Sequence, residues 1–312
     1  MKTLKISLFI LLFLILTILS QIGGFVLILW FFVFRLFKHK ILNKKLQIAS
    51  SITGFLLFYL IFNFFIIPFL ALKLNNRVPL SISKSGNLVP VTYWTGLLNR
   101  NYLTIKGKED LLKISDEFAQ KNPGLKLKYM DCNHPFSIDI DISKNFIFKD
   151  GIKIFPVFEG LFPHFSHSGD KVDLAFVYND ENGIPSNLTP TSIGYGSSVE
   201  PLPGETGYVD AKCNCILKTQ NQINGIDGTP CKCDKENSFY SFMHHYLSKK
   251  EGVTLNNKLT KELIQIFIKH RYKGIILEAH LRERLHILSR SYGNHSCKTV
   301  RHDDHFHIQV PD

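Results

Sequence analysis

Charged side chains are missing from two long stretches near the start of the sequence. None occurs in residues 6–34, and none occurs in residues 46–72. A helix needs about 20 mostly apolar residues to cross a bilayer, so both stretches are long enough. A cleavable signal peptide has an apolar region of only about 7–15 residues followed by a small-residue cleavage site, which the first stretch lacks. We therefore predict a membrane anchor in residues 1–76 with two transmembrane helices; a hairpin broken at Gly23-Gly24 is the alternative for the first stretch.

Basic residues separate the two apolar stretches. Short loops rich in Lys and Arg stay in the cytoplasm, so this loop is expected inside. The second helix then leads outward, and residues 77–312 are expected to form one domain outside the cytoplasm. Lys2 and Lys5 oppose an external N-terminus, but the loop outnumbers them with Arg35, Lys38, Lys40, Lys44 and Lys45.

The sequence also lacks the motifs of nucleic-acid-binding proteins. No helix-turn-helix or RNA-binding signature accompanies the net charge of +11, so we expect no nucleic-acid partner. A basic surface is better suited to an anionic polymer such as a cell wall, or to anionic lipid headgroups.

Cysteines are few, and four of the six are closely paired, as Cys213-Asn214-Cys215 and Cys231-Lys232-Cys233. Outside the cytoplasm such spacing more often indicates disulfides across a loop than a metal site. A four-thiolate zinc site is the alternative. The region around these pairs, residues 192–237, has little periodicity and is expected to form a long loop that acts as a lid or substrate wall.

The hydrophobic pattern after the anchor predicts an α+β fold, with an antiparallel sheet and flanking helices. Residues 77–103 have no clear period and are interpreted as a linker or as extended chain leading into the domain. Alternating or short buried runs predict strands at residues 125–130, 136–142, 171–178, 275–277 and 305–310. Helical periodicity predicts helices at residues 109–120, 239–247 and 259–272, with a further short helix through Leu281 and Leu285.

Two clusters of histidine and aspartate stand out in this pattern. The first is His164-Phe165-Ser166-His167, followed by Gly169 and by Asp173 on a predicted strand; the second is His302-Asp303-Asp304-His305-Phe306-His307. Residues two apart on a strand face the same side, so His305 and His307 should project together. Catalytic zinc takes three protein ligands, commonly His and a carboxylate, and keeps a fourth position for water. The clusters therefore predict a catalytic metal site.

The same clusters resemble those of the zinc peptidases grouped as lysostaphin-type, D-Ala-D-Ala and hedgehog-like proteins. The closest resemblance is to the penicillin-insensitive murein endopeptidase family, whose first motif is His-x-Ser-His, then Gly, then Asp, and whose last is His-Asp-x-His-x-His before an apolar strand. Residues 275–285 are also similar to the family's strand and helix before the last motif. The step from His167 to Asp173 is one residue shorter than in the family, with the difference in the loop.

This resemblance implies a hedgehog/D-Ala-D-Ala peptidase-like fold and a zinc-dependent peptidoglycan endopeptidase that hydrolyses D-Ala-containing cross-links. Zinc would be bound by His167, Asp173 and His307, with His164 as the fallback for His167, while His305 and His302 would be catalytic. Asp303 or Asp304 would orient an imidazole. The implied partner is the peptide stem of peptidoglycan, and the implied location is the bacterial cytoplasmic membrane with the domain facing the periplasm.

Other functions stay open at this stage. A D,D-carboxypeptidase or dipeptidase of the same fold would trim stem peptides instead of cutting cross-links. A non-catalytic zinc-binding cell-wall module would lack the catalytic histidines, yet both His302 and His305 are present. A metal-dependent nuclease is the least favoured reading because no basic patch with interleaved aromatic residues surrounds the clusters.

Overall fold

The computed structural model describes residues 2–41, 43–136, 171–196, 199, 202–203, 205, 249–272, 274–287 and 304–310. Its helices are α1 Lys2–Ser20, α2 Gly23–Phe37, α3 Lys44–Ile61, α4 Ile67–Asn75, α5 Trp94–Leu97, α6 Ile105–Lys121, α7 Asn257–Lys269 and α8 Ala279–Arg284. Its strands are β1 Arg77–Pro79, β2 Leu88–Pro90, β3 Tyr102–Thr104, β4 Leu127–Asp131, β5 Lys171–Ala175, β6 Tyr178–Asn179, β7 Pro185–Ser186, β8 Thr254–Leu255, β9 Gly274–Ile276 and β10 His305–Gln309. The α+β class is confirmed.

The first apolar stretch forms a helical hairpin and not a single long helix. Gln21 has a left-handed backbone with φ of 62° and ends α1, so α2 returns along it. Gly23 and Gly24 let the helices approach closely, because a Cβ on Gly24 would collide with the side chain of Thr17. The rings of Phe9 and Phe31, one on each helix, lie 5.6 Å apart.

The prediction of two transmembrane helices is therefore wrong. In the described part of the chain, one helix is long and apolar enough to cross a membrane by length and composition. It runs Lys44–Asn75, with α3 and α4 joined through a π-helical turn, Phe62–Ile66. The first stretch fails as a single span because its apolar residues are divided between two shorter helices.

Of the two interpretations of residues 77–103, the linker is wrong, whereas extended chain leading into the domain agrees with strands β1 and β2. This segment contains β1, β2, α5 and part of β3, and it packs against the long helix. Short strands of three residues and frequent prolines leave too little periodicity for a sequence pattern to detect them. Asn101 helps to fix the segment because its side-chain amide donates to the Leu80 carbonyl at 2.8 Å.

The main sheet has five strands in the order β2-β4-β5-β10-β9. The pairs from β4 to β9 are antiparallel, but β2 pairs parallel with β4, so the predicted antiparallel sheet is a mixed one. A parallel pair needs a crossover, and α5, β3 and α6 provide it between these two strands. β6, β7 and β8 form a second, smaller sheet.

Helices α6 and α7 cover one face of the main sheet. The core between them contains the fully buried rings of Phe118, Phe267 and Phe306. Side-chain caps begin both helices: Thr104 Oγ1 accepts from the Gly107 amide at 3.1 Å, and Asn256 Oδ1 accepts from the Leu259 amide at 2.9 Å. Side chains of a strand alternate between the two faces of the sheet. The residues of β5 and β10 that lie between the core residues therefore face the opposite side.

Candidate metal and proton-transfer site

Asp173 and His307 meet on the face of the sheet opposite the core. β5 and β10 are antiparallel neighbours, and their register places His307 directly across from Asp173. His307 Nδ1 lies 2.7 Å from Asp173 Oδ1. The intervening residues Leu174 and Phe306 are fully buried in the core. The strand alternation expected from the sequence is therefore confirmed at this pair.

His305 lies on the same face as His307, two residues earlier on β10. Its cross-strand partner is Ala175, whose small side chain leaves room for the imidazole beside Asp173. The His305 Nε2 atom lies 3.8 Å from Asp173 Oδ2. Asp173, His305 and His307 are all buried, at 4%, 1% and 6% exposure, so their polar atoms interact in a medium of low dielectric constant.

Asp304 fixes the orientation of His305. Its Oδ1 lies 2.5 Å from His305 Nδ1, and its Oδ2 accepts from the backbone amide of Gly196 at 2.5 Å. An ionised carboxylate only accepts hydrogen bonds, so the Asp304 contact assigns the ring proton to Nδ1. The other ring nitrogen, Nε2, then carries the lone pair and lies 3.8 Å from Asp173 Oδ2, beyond hydrogen-bond distance. Asp303 or Asp304 was expected in this role, and Asp304 makes the contact.

Tyr195 is part of the site and was missed by the sequence analysis. Its hydroxyl donates to Asp173 Oδ2 at 2.6 Å, and its ring meets the His305 ring edge-on with centroids 5.2 Å apart. The flanking residues Gly194 and Gly196 both have positive φ, which lets the loop turn sharply around the tyrosine. An aromatic residue between two glycines was the available signal, in a long loop that was expected to act as a lid or substrate wall.

A buried ion pair lies behind Asp173. Asp131 on β4 is the cross-strand neighbour of Asp173, and Arg100 pairs with it. Burial raises the pKa of the Asp131 carboxyl, the nearby charge of Asp173 raises this pKa further, and Arg100 opposes both effects. Burial dominates, so the pKa of Asp131 stays raised, at about 8, even with the guanidinium beside it.

The described residues supply part of the donor set predicted for zinc. A carboxylate and an imidazole lie in contact on adjacent strands, and zinc commonly takes both as ligands. Two of the three predicted ligands, Asp173 and His307, are thus brought together. The third, His167, lies outside the described residues, as do His164, His302 and Asp303. Within the described ranges no group of three or more His, Cys, Asp or Glu side chains is arranged to hold a metal ion.

The disulfide and thiolate predictions are not decided by the described residues either. Cys132 is buried beside the main core. The two cysteine pairs and Cys297 lie outside the described ranges. Both alternatives for the pairs therefore stay predictions.

Comparison with protein-family models, with curated proteins and with solved structures gives no match for this chain. The resemblance to the murein endopeptidase family thus depends on the two motifs, and the peptidase-like fold stays a prediction.

Proposed function

We propose that the protein is a zinc-dependent peptidoglycan endopeptidase. The observation that carries the proposal is the contact between His307 and Asp173, at 2.7 Å, with His305 beside them on the same face of the sheet. These three residues come from two distant parts of the sequence. Each part carries a histidine and aspartate motif of the kind that binds metals, so their meeting supports a shared site.

Asp173 and His307 would hold the metal together with His167. When bound, zinc would polarise the scissile carbonyl and lower the pKa of its bound water to about 7. Tyr195 would keep the Asp173 carboxylate in place through the hydrogen bond to Oδ2. Partners of this kind orient metal ligands and are generally important for metal affinity.

His305 would act as the general base and acid. Asp304 holds the proton on Nδ1, so the ring takes a further proton at Nε2. That proton comes from the water whose oxygen attacks the peptide carbonyl carbon. His305 then gives the proton to the nitrogen of the breaking C–N bond, and the products are a carboxyl group and an amine. Asp304 stabilises the imidazolium that exists between the two transfers, and His302 would assist as the second catalytic histidine.

Charge and location support peptidoglycan as the substrate. The net charge of +11 favours an anionic polymer over a neutral one. Peptidoglycan lies outside the cytoplasmic membrane, where the positive-inside rule would place the domain. The motif resemblance specifies the bond class, a D-Ala-containing cross-link between peptide stems.

The anchor of this proposed enzyme would be the helix Lys44–Asn75, whose first part, up to about Asn63, would cross the bacterial cytoplasmic membrane. Helices α1 and α2 would enter the same apolar layer as a hairpin, because large apolar side chains such as Leu8, Phe32 and Leu56 stay exposed along all three helices. The hairpin returns to its starting end, so Lys2 and Lys5 lie at the same end as the basic residues between α2 and α3. In this arrangement the N-terminus would be on the cytoplasmic side, so Lys2 and Lys5 no longer oppose the predicted topology.

Digestion of purified peptidoglycan by the full chain in detergent micelles tests the function. Mass analysis should find uncross-linked stem peptides released from cross-linked dimers, and none from His305→Ala. His39→Ala changes an exposed histidine far from the site and should digest normally. Trimming of monomer pentapeptides without cleavage of dimers would indicate a carboxypeptidase. Zinc-loaded protein that cleaves neither substrate would contradict the enzyme proposal and favour a binding module.

A further inference from the structure

Two exposed aromatic residues and a lysine lie together at the start of α5; we refer to Lys84, Tyr93 and Trp94 as the α5 edge. Tyr93 is 53% exposed and Trp94 is 61% exposed. Lys84 Nζ lies over the Tyr93 ring, 5.0 Å from its centroid. A tryptophan exposed to water does not gain the free energy of burying its large apolar ring. The exposed rings of Tyr93 and Trp94 therefore indicate a contact surface.

The α5 edge is attached to the long helix at a defined height. The Tyr59 hydroxyl donates to the Leu97 carbonyl at 2.6 Å, and the buried Asn63 amide donates to the Gly96 carbonyl at 3.1 Å. A helix rises about 1.5 Å per residue, so Asn63 stands about 28 Å along the axis from Lys44. The hydrocarbon core of a bilayer is about 30 Å thick. With Lys44 at the inner surface, α5 therefore lies at the level of the outer surface.

The side chains of the α5 edge suit the outer membrane–water interface better than the hydrocarbon core or the bulk water. Tyr and Trp are enriched at membrane–water interfaces, where an apolar ring and a polar group are both accommodated. Lys84 can extend its apolar stem along the surface and place its ammonium among anionic headgroups. The neighbouring Ser83 and Ser85 are exposed, and their unburied backbone could not enter hydrocarbon without a large cost.

We propose that the α5 edge lies in the outer headgroup layer of an anionic bilayer and rests the domain on the membrane surface. The inference depends on the membrane anchoring in the proposed function, but not on the peptidase activity. Phe65 is 75% exposed and lies on the side of the helix roughly opposite Asn63. Membrane helices are tilted by about 20° on average. Such a tilt would place Phe65 and the α5 edge at a similar depth in the bilayer.

Hydrogen bonds and apolar contacts hold the domain against the helices. At the tip of the α1–α2 hairpin, the Gln21 side-chain amide donates to the Phe136 carbonyl at 2.7 Å and accepts from the Phe136 amide at 3.0 Å. Tyr102 and Phe136 share an apolar cluster with residues of the hairpin and of α4. Because these contacts join the domain to the helices directly, the domain would have a fixed height above the bilayer.

Contacts between neighbouring elements join the α5 edge to the candidate site. Thr95 in α5 donates its hydroxyl to the Met130 carbonyl in β4 at 2.7 Å, and Arg100 pairs with Asp131 at the end of that strand. β4 is next to β5, which carries Asp173. A domain resting on the α5 edge would therefore act on peptide stems close to the membrane, and not across the whole depth of the cell wall.

The two tryptophans of the chain make the proposal testable. In Trp30→Phe only Trp94 fluoresces, and in Trp94→Phe only Trp30 fluoresces. Trp30 donates to the Ser51 carbonyl at 2.9 Å, in the middle part of the proposed span, and serves as the matched control. Both full-length variants are placed in vesicles of equimolar phosphatidylcholine and phosphatidylglycerol that carry nitroxide lipids. The nitroxide is either at the headgroup or deep in the acyl chain.

Trp94 should lose more fluorescence to the headgroup nitroxide than to the deep one, and Trp30 should show the reverse. Trp94 that is quenched by iodide but by neither lipid, or mainly by the deep nitroxide, would overturn the proposal. Trp94 shielded from iodide and from both lipids would also overturn it, by indicating a protein contact. In each of these cases a lipid-quenched Trp30 would leave the anchoring intact. If neither tryptophan is quenched by lipid, the membrane anchoring itself is wrong.

Discussion

The hydroxyl of Tyr195 donates a hydrogen bond to Oδ2 of Asp173 at 2.6 Å, while Oδ1 of the same carboxylate contacts His307. The tyrosine ring also packs against His305. One loop residue thus touches a proposed metal ligand and the proposed general base. Its effect on the reaction would be exerted through those two residues, which makes Tyr195 a positioning residue.

We expect Tyr195→Phe to weaken the site without abolishing it. The ring packing is kept and the hydrogen bond to Asp173 is lost, so zinc affinity or activity should fall by about 10–100-fold, as for other partners of metal ligands. Competition with a chelator measures the affinity, and the kinetics of dimer cleavage measure the activity. Tyr93→Phe, which changes an exposed tyrosine away from the site, is the control. Equal zinc affinity and equal activity in both variants would show that the Tyr195 hydroxyl has no role.

The metal content of the purified chain is the second prediction. An open site with three protein ligands should hold about one zinc per chain. His307→Ala and Asp173→Ala should each lose most of it in elemental analysis, whereas His39→Ala should keep it. The ligand assignment is wrong if both site variants retain full zinc. Two zinc ions per chain would instead support the four-thiolate alternative at the cysteine pairs.

A third prediction separates proton transfer from metal binding. His305 lies beside Asp173 but is proposed as a base, so His305→Ala should keep near-normal zinc. Cleavage of cross-linked muropeptides should fall at least about a hundredfold, because general acid–base groups contribute about 10²–10⁴ in rate. His302→Ala should have a similar but smaller effect, since His302 and His305 would share the role. Loss of zinc in His305→Ala would make this residue a ligand, and normal activity would remove it from the mechanism.

Regular amphipathic segments were predictable from the sequence. Helix α7 was expected at residues 259–272 and spans Asn257–Lys269 because its apolar residues recur at helical spacing against the core. Strands β5 and β10 were expected at 171–178 and 305–310, and their alternation correctly placed Asp173 and His307 on the polar face. The fold class and the central contact of the site follow from these elements.

Features that depend on tertiary contacts were not predictable. The break at Gln21 is stabilised by hydrogen bonds to Phe136, more than a hundred residues away, so local periodicity could not show it. Strands β1, β2 and β3 are each three residues long and are defined by their partners. Tyr195 reaches the site through a loop whose path is set by two positive-φ glycines. Only the folded arrangement makes these residues significant.

An ion-pair cluster between α6 and α7 predicts a pH dependence of stability. Lys269, at 2.8 Å, and then His270, at 2.9 Å, hold the pKa of Glu117 at about 2, well below its usual value. A depressed carboxyl pKa adds stability above the unfolded-state pKa of about 4.3, and this stability is lost as the pH falls toward 2. Glu117→Gln should therefore lower the thermal midpoint at pH 6 but not at pH 2.

The cluster is partly solvated, so its contribution should be modest. About 1 kcal/mol is the upper range for an exposed pair, which corresponds to about 2–4 °C in the thermal midpoint of a domain of this size. Glu109→Gln changes an exposed residue of the same helix and should not alter the pH profile. Thermal unfolding followed by near-ultraviolet circular dichroism makes the comparison. Parallel pH profiles for wild type and Glu117→Gln would contradict the prediction.

The hairpin predicts where the two ends of the chain lie. If residues 6–34 crossed the membrane once, the N-terminus would be outside and opposite the basic loop. Because α1 and α2 return to the same end, Lys2 and Lys5 should instead lie inside with Lys38, Lys40 and Lys44, as the positive-inside rule favours. A fluorescent protein that matures only in the cytoplasm should fluoresce when fused before Met1. A phosphatase that is active only outside should be active when fused after Asp312. A dark N-terminal fusion with an active C-terminal one would restore the single crossing, and a stable but inactive C-terminal fusion would place the domain inside.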